Sequence, residues 1–118
     1  MRGIEGEQVL LRIMLSESRT LDREPVYRRI LDLLRAEGLA GATVLKGKAG
    51  FGHDRGVHTV MLEVAAQGLP LVLEVVDTPE HIDRVLPMLE ALMTGGLIMT
   101  ERAHVIRYGD PSPPDATR

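Results

Sequence analysis

The sequence contains no cysteine and no tryptophan among its 118 residues, and only one phenylalanine and two tyrosines. Without cysteine, disulfide frameworks and thiolate zinc sites are excluded. Scarce aromatic rings argue against a surface that stacks single-stranded nucleic acid, and a net charge of −3 argues against neutralising the phosphates of a duplex. We therefore expect an aliphatic core and no nucleic-acid partner.

Long apolar runs are also missing. The apolar run over residues 9–15 is short and contains Arg12, and no window approaches the roughly 20 apolar residues that a membrane-spanning helix needs. The first residues lack the charged-then-apolar layout of a signal peptide. These features predict a cytoplasmic protein with no direct membrane insertion, and the length suits a single domain.

What is present is an ordered series of strand and helix patterns. Apolar residues recur every second position in the strand patterns, which cover residues 9–15, 41–49, 57–65, 69–77 and 97–108. Spacings of three and four indicate an amphipathic helix over 27–34 and a second helix after Thr78, with Pro87 expected to kink it or to remove a hydrogen bond. The order predicts an α+β fold, the ferredoxin-like βαββαβ plait with an antiparallel sheet and two helices on one face.

The strand patterns place apolar residues on both faces of this sheet. Leu10, Met14, Val72 and Val76 alternate with the residues that the helices would cover. A second apolar face usually means that a partner buries it. We therefore expect an oligomer.

The stretch over residues 46–59, KGKAGFGHDRGVHT, is rich in glycines and in charged and polar residues that could bind a ligand. If the preceding strand continues, Lys46 and Lys48 point the same way, and two ammonium groups beside glycine N–H groups suit a phosphate or another anion. The alternative is that both lysines are solvated charges that protect a strand edge. A dinucleotide fingerprint is excluded, because a strand rather than a helix follows the glycines.

The same stretch offers His53, Asp54 and His58, residue types that can ligate a metal ion. Their spacing is not that of a helical pair, so the alternative is that they are exposed polar residues of a loop, and we expect no metal. Phe51, between two glycines, is either an apolar anchor against a neighbouring subunit or a protrusion that contacts a partner.

Catalytic motifs are missing from the sequence. It contains no nucleophile elbow, no H-E-x-x-H motif and no cysteine nucleophile. Glu63 and Glu74 fall on neighbouring strand patterns, where paired acids can perform acid–base chemistry. Alternatively, they form an ion network between subunits with Arg12 or Arg102. We expect a protein that is not an enzyme.

Three runs of sequence carry a resemblance to a known family: GLAGATVLKGKAGFG, then VHT, then LPLVLEVVDTPEHIDRVLPMLEALMTGGLI. They are similar to the PII-like (GlnB-like) signalling superfamily and, within it, to the uncharacterised branch known as domain of unknown function (DUF) 190. The resemblance implies a plait that assembles as a homotrimer with its sheets packed inward. We accordingly expect a flexible N-terminus over residues 1–7, a PII-like domain over 8–108 and a disordered tail over 109–118.

The resemblance also implies a function. PII proteins bind adenine nucleotides in clefts between subunits and signal through a loop between the second and third strands. The implied role is a regulatory protein that binds a small anionic ligand, with an adenine nucleotide as the candidate cofactor. The implied ligand contacts are Lys46, Gly47, Lys48, Gly50 and Gly52, with Arg102 and Arg107 from the last strand. The implied partner loop comprises Phe51, His53, Asp54, Arg55 and His58.

The sequence departs from the PII pattern in two places. Its loop is shorter and lacks the tyrosine that is uridylylated in PII proteins, and the stretch TGGLIMTERAHV keeps Gly95 and Gly96 without the lysine of the PII phosphate loop. Relatives are often encoded beside fluoride-export channels, which suggests a membrane transporter or ion channel as partner. The alternative function is a ligand-independent interaction module that displays its loops to such a partner.

Overall fold

The computed structural model describes residues 3–51, 58–59 and 68–109 of the chain. The elements, in chain order, are β1 (Ile4–Ser16), β2 (Thr20–Leu21), β3 (Glu24–Pro25), α1 (Val26–Ala36), β4 (Thr43–Lys46), β5 (Ala49–Gly50), β6 (His58–Thr59), β7 (Pro70–Asp77), α2 (Pro79–Leu92) and β8 (Leu97–Tyr108). The longer strands form one antiparallel sheet in the order β4–β7–β1–β8, and the short strands pair as β2–β3 and β5–β6. This arrangement confirms the predicted ferredoxin-like α+β fold.

The core lies between the two helices and one face of the sheet. Alternate residues of β1 and β7 point towards the helices, and the register partners Ile13 and Leu73 are fully buried. The helices contribute an aliphatic stripe that is also buried: Val26, Ile30, Leu34, Ile82, Val85 and Leu89. The core is aliphatic, as the shortage of aromatic residues predicts.

The second helix begins and continues as its sequence indicates. The Thr78 hydroxyl accepts a hydrogen bond from the His81 backbone N–H at 3.2 Å, which makes Thr78 the N-cap of α2. Pro87 lies inside the helix, where it has no N–H to donate to the carbonyl of Asp83. Within the described parts of the chain, no helix is long and apolar enough to cross a membrane.

The strand boundaries differ from the prediction at β1 and between β4 and β5. β1 begins at Ile4, ahead of the predicted strand start at residue 9. The predicted strand over 41–49 is divided, because β4 ends at Lys46 and the chain forms β5 only from Ala49. Of the predicted strand over 57–65, the described residues are 58–59, which form β6. Residues 60–65 lie outside the described residues, as does the predicted tail from residue 110 onward.

The sheet face away from the helices is apolar around one ion-pair cluster. Leu10 lies opposite Val76 and Met14 lies opposite Val72 across the β1–β7 ladder, and all four are only partly buried. Between these pairs, Arg12 Nε contacts Glu74 Oε2 at 2.9 Å, and its Nη1 contacts Glu101 Oε1 at 3.5 Å. We call this surface the open face.

Candidate functional site

One end of the sheet gathers the first residues of the 46–59 stretch. There β1 and β4 finish, and β7 and β8 begin: Ser16 lies opposite Pro70, Lys46 opposite Leu71, and Met14 opposite Leu97. We call this region the loop end and define it as residues 16–25, 46–51, 69–70 and 94–97. The opposite end of the sheet carries none of the lysines or glycines of the 46–59 stretch that the structure describes.

At the loop end, Lys46 is paired with a carboxylate. Its Nζ lies 3.1 Å from Glu17 Oε2, with the two side chains 47% and 29% exposed. Glu17 is held in place because its backbone N–H donates to the Leu69 carbonyl at 2.8 Å. Its other carboxylate oxygen, Oε1, is buried and has no hydrogen-bond partner among the described residues. Lys46 is therefore available to an anion only in competition with Glu17.

The first glycine of the stretch has a packing role. The Gly47 N–H donates to the Pro70 carbonyl at 2.7 Å, and a Cβ at Gly47 would lie 2.6 Å from Pro70 Cγ. A side chain here would therefore displace the proline. This bond continues the register of β4 and β7 by one residue, but Pro70 has no N–H to return a second bond. β4 therefore ends at Lys46, and the strand alternation expected to align Lys46 with Lys48 stops there.

Beyond Lys46 the chain folds back on itself as a short hairpin. Ala49 lies opposite Thr59 and Gly50 lies opposite His58 in the β5–β6 pair. Lys48 is exposed and has no ion-pair partner among the described residues. Phe51 is 65% exposed in the single chain. Gly52, His53, Asp54 and Arg55 lie outside the described residues, and so does the side chain of His58.

The two predicted arginines of β8 lie away from the loop end of their own chain. Arg102 lies opposite Val9, roughly 17 Å along the strand from Leu97 at about 3.4 Å per residue, and Arg107 is roughly 34 Å along it. Both side chains are exposed. One chain therefore does not bring either arginine to Lys46.

Two residues of the loop end, Glu17 and Arg19, could not be identified from the sequence. Arg19 Nη1 lies 3.4 Å from Thr94 Oγ1, and a Cβ at Gly95 would lie 2.9 Å from Arg19 Nη2. Both contacts of these residues join segments that are distant in sequence, so no local periodicity could reveal them. The sequence signal is a cluster of polar residues, SESR, which begins with the last residue of β1.

A surface cavity of about 280 Å³ lies between α2 and β8. Its lining residues are Leu86, Glu90, Ile98, Met99 and Thr100. The turn over residues 94–96 connects its two walls. The lining combines apolar side chains with a similar share of polar surface, including the carboxylate of Glu90, so the cavity does not favour an anionic group.

The candidate acid and metal groups do not assemble into a reactive centre within the described ranges. Glu74 pairs with Arg12 of the same chain, whereas Glu63 lies outside the described residues. No three His, Asp or Glu side chains come together as metal ligands in residues 3–51, 58–59 and 68–109. His81 is placed between a hydroxyl and a carboxylate, with Nδ1 at 2.7 Å from Thr78 Oγ1 and 3.5 Å from Asp77 Oδ1.

Similar proteins share both the fold and the sequence pattern. A PII-like signalling protein of Thermus thermophilus matches with a TM-score of 0.64 at 19% identity, over 90% of this chain and 94% of that one. CPII, a nitrogen regulatory PII-like protein of Thiomonas intermedia bound to ADP, AMP and bicarbonate, matches with a TM-score of 0.57 at 16% identity, over 92% of this chain and 100% of that one. The fold is thus that of the PII-like signalling proteins.

Sequence comparison identifies the family of the chain within this fold. The model of the DUF190 family, described as "Uncharacterized ACR", matches residues 8–105. A UPF0166 protein of Methanocaldococcus jannaschii is 39% identical, over 83% of this chain and 91% of the relative. A UPF0166 protein of Aquifex aeolicus is 35% identical, over 82% of this chain and 91% of the relative. The chain belongs to the DUF190 family.

Proposed function

We propose that this protein is a homotrimeric PII-like regulator that binds a small anionic ligand, an adenine nucleotide in the first instance, at clefts between subunits. The loop over residues 47–58 would carry the signal to a protein partner. The observation that carries this proposal is the fold shared with CPII, a protein bound to ADP, AMP and bicarbonate. In this chain, Lys46 and Lys48 stand at the connection between β4 and β7. Such a regulator needs no catalytic centre.

The open face supports the assembly. It combines apolar side chains with an arginine that already faces two carboxylates, Glu74 and Glu101. An ion cluster whose members are paired can be buried at a lower cost than an isolated charge. Burying this face between copies of the chain would remove partly exposed Leu10, Met14, Val72 and Val76 from water, which favours association.

The two edges of the sheet explain why the ligand would bind between subunits. β4 and β8 form opposite edges, and in a closed ring the same two dissimilar surfaces meet at every interface. An interface between the β4 edge of one copy and the β8 edge of the next would bring Arg102 or Arg107 towards Lys46. In this arrangement the arginines and Lys46 are far apart within one chain because the site that they form is shared between two chains.

The test compares nucleotide binding in the wild type and in a double variant, Lys46→Ala with Lys48→Ala. ADP, AMP and bicarbonate are titrated in a thermal-shift assay, and light scattering measures the mass of each variant. A ligand at a hundredfold excess over its Kd adds about 2.7 kcal/mol to stability. We expect a nucleotide-dependent rise in the wild-type Tm that is lost in the double variant while the trimer persists.

The matched control is Arg35→Ala with Arg84→Ala, which also removes two positive charges, from helix positions outside the loop end. It should retain the full nucleotide response. Equal responses in the lysine variant and the control would reject the proposed ligand contacts. A wild-type protein that scatters light as a monomer would reject the trimer.

One observation favours the alternative, a ligand-independent module that displays its loop to a transporter or channel. Phe51 is 65% exposed, and a solvent-exposed aromatic side chain is a frequent anchor in protein interfaces. For this function we expect Phe51→Ala to weaken capture of a purified fluoride-export channel, with no nucleotide response in either protein. Unchanged capture by Phe51→Ala would contradict the display function.

A further inference from the structure

The ion cluster at the centre of the open face contains more carboxylates than cations. Its only cation among the described residues is Arg12, whose Nε lies 2.9 Å from Glu74 Oε2 and whose Nη1 lies 3.5 Å from Glu101 Oε1. With all three side chains ionised, the cluster carries one net negative charge in each copy of the chain. Because Glu74 is the closer partner of Arg12, Glu101 is the surplus carboxylate.

The strand register explains why Glu101 is the weaker partner. Glu74 lies directly opposite Arg12 in the β1–β7 ladder, and directly opposite side chains interact most closely. On the other side of β1, Met99 lies opposite Arg12, whereas Glu101 lies opposite Leu10. Glu101 therefore reaches Arg12 along a diagonal, and its direct neighbour across the strands is an apolar side chain.

The surroundings of the cluster add no compensating charge within the described part of the chain. The nearest polar side chains on this face are Gln8 and Thr43, which are uncharged, and Gln8 Oε1 is itself buried without a hydrogen-bond donor among the described residues. Strand alternation fills the rest of this part of the open face with apolar residues: Leu10, Met14, Val72, Val76, Met99 and Ala103. The face therefore has a surplus of acceptors over donors.

Assembly through the open face would remove this surplus from water, an argument that rests on the trimer proposed above. In the single chain the Glu101 side chain is 53% exposed, against 25% for Arg12. Arg12 and Glu74 can be buried together as a pair, but a further carboxylate without a matching cation is costly to bury. Three copies would also bring three such carboxylates into one interior, where like charges repel. A proton on each surplus carboxylate removes both costs.

We propose that assembly of the chain through its open face takes up one proton per copy at the cluster of Arg12, Glu74 and Glu101, which makes the trimer sensitive to pH. A glutamic acid in water ionises at about pH 4.3. Because the assembled state keeps the proton to a higher pH than the dissociated state, association is strongest at the acidic end and weakens as the pH rises. The change is up to about tenfold per pH unit for each proton taken up. Since the proposed ligand site lies between subunits, a rise in pH weakens assembly and ligand binding together.

The test measures the trimer dissociation of the full chain by sedimentation over a range of protein concentrations, between about pH 5 and pH 8, at constant ionic strength. Glu101→Gln removes the surplus charge with little change in shape, and Asp83→Asn removes an equal charge from an exposed position of α2. We expect the concentration at half-dissociation to rise at least about tenfold across this range in the wild type and in Asp83→Asn. It should stay nearly constant in Glu101→Gln. Glu74→Gln should also flatten the pH dependence, because it too leaves one carboxylate for each guanidinium.

The other outcomes contradict the proposal in distinguishable ways. A pH dependence that persists in Glu101→Gln belongs to another group, for which the exposed His104, 2.6 Å from Glu7, is the first candidate. Weaker assembly of Glu101→Gln at every pH would show that a cation of the neighbouring copy already pairs with Glu101. A wild-type trimer of equal affinity at every pH overturns the proton uptake and leaves the trimer intact, whereas a wild type that is monomeric throughout rejects the trimer itself.

Discussion

The two ends of the sheet differ in how completely their polar groups are paired. At the end opposite the loops, the Tyr108 hydroxyl donates to the Ala40 carbonyl at 2.9 Å, and the Ala40 N–H donates to Asp77 Oδ2 at 2.8 Å. The other oxygen of Asp77 accepts from the Thr78 N–H at 2.7 Å, and Asp77 is fully buried. We call this network the closed end. It joins β8, the α1–β4 connection and the start of α2.

The loop end has the same kinds of groups without this pairing. One oxygen of Glu17 is buried and unpartnered among the described residues, and Arg19 and Lys48 have no carboxylate there. Buried polar groups are nearly always hydrogen-bonded in folded proteins, and one that is left without a partner costs about 1–3 kcal/mol. The difference indicates that the closed end holds the fold together, whereas the loop end leaves several donors and acceptors unpaired among the described residues.

The largest expected effect is at the closed end, from Asp77→Ala. The change leaves the N–H groups of Ala40 and Thr78 without their acceptor, and hydrogen bonds to a charged group contribute about 1.5–3 kcal/mol each. We expect the free energy of unfolding to fall by about 3 kcal/mol or more in urea titrations. The exposed Asp83 of α2 provides the control, because Asp83→Ala should change stability by less than about 0.5 kcal/mol. Similar losses in the two variants would contradict the structural role of the closed end.

A smaller effect is expected where Tyr108 crosses Gly41. A Cβ at Gly41 would lie 2.3 Å from the Tyr108 hydroxyl oxygen, so Gly41→Ala must displace the ring and break its bond to Ala40. We expect a loss of about 1–3 kcal/mol, the usual cost of inserting an extra methyl group in a packed site. Tyr108→Phe removes the clashing oxygen, so Gly41→Ala should cost clearly less in that background.

The pair of variants forms a double-mutant cycle, with urea unfolding as the measurement. Because the two residues are in contact, their effects should not add. Additive losses would mean that Gly41 is required for its backbone conformation alone. The closed end would then depend less on Tyr108 than the hydrogen bond indicates.

The fold could be predicted because burial in this chain follows local spacing. Leu11 and Ile13 repeat with the period of a strand, and Ile82, Val85 and Leu89 repeat with that of a helix, so each residue's sequence neighbours already show which face is buried. Thr78 is likewise followed directly by the helix that it caps. A structural feature that depends only on residues close together in the sequence can be predicted from the sequence.

The site could be predicted only in part, because its contacts join distant segments. Lys46 lies in the predicted stretch, but its partner Glu17 is on another strand connection. Arg19 and Gly95 meet across the end of the sheet, and no pattern in either segment indicates the other. Strand periodicity predicts the alignment of Lys46 with Lys48, but the strand ends at Lys46 because Pro70, opposite Gly47, has no N–H to donate. The predicted roles of Arg102 and Arg107 stay predictions, since they depend on a second subunit.

The smallest effect on stability, and the clearest effect on binding, is expected at the loop end from Glu17→Gln. The Glu17–Lys46 pair is partly exposed, so its loss should change the free energy of unfolding by less than about 1 kcal/mol. The substitution removes the carboxylate that competes with an anion for Lys46. We therefore expect the Tm shift induced by ADP to increase relative to the wild type.

Glu24→Gln is the matched control, because it removes an equal charge from the neighbouring hairpin, where Glu24 faces Arg29 at 3.8 Å. If long-range charge alone governed anion binding, the two variants would strengthen it equally, since both raise the net charge by one. A larger gain for Glu17→Gln would show that direct competition for Lys46 limits binding. An unchanged or reduced ADP response in Glu17→Gln would mean that Lys46 does not contact the nucleotide. The unpaired groups of the loop end would then be candidates for contacts with the protein partner.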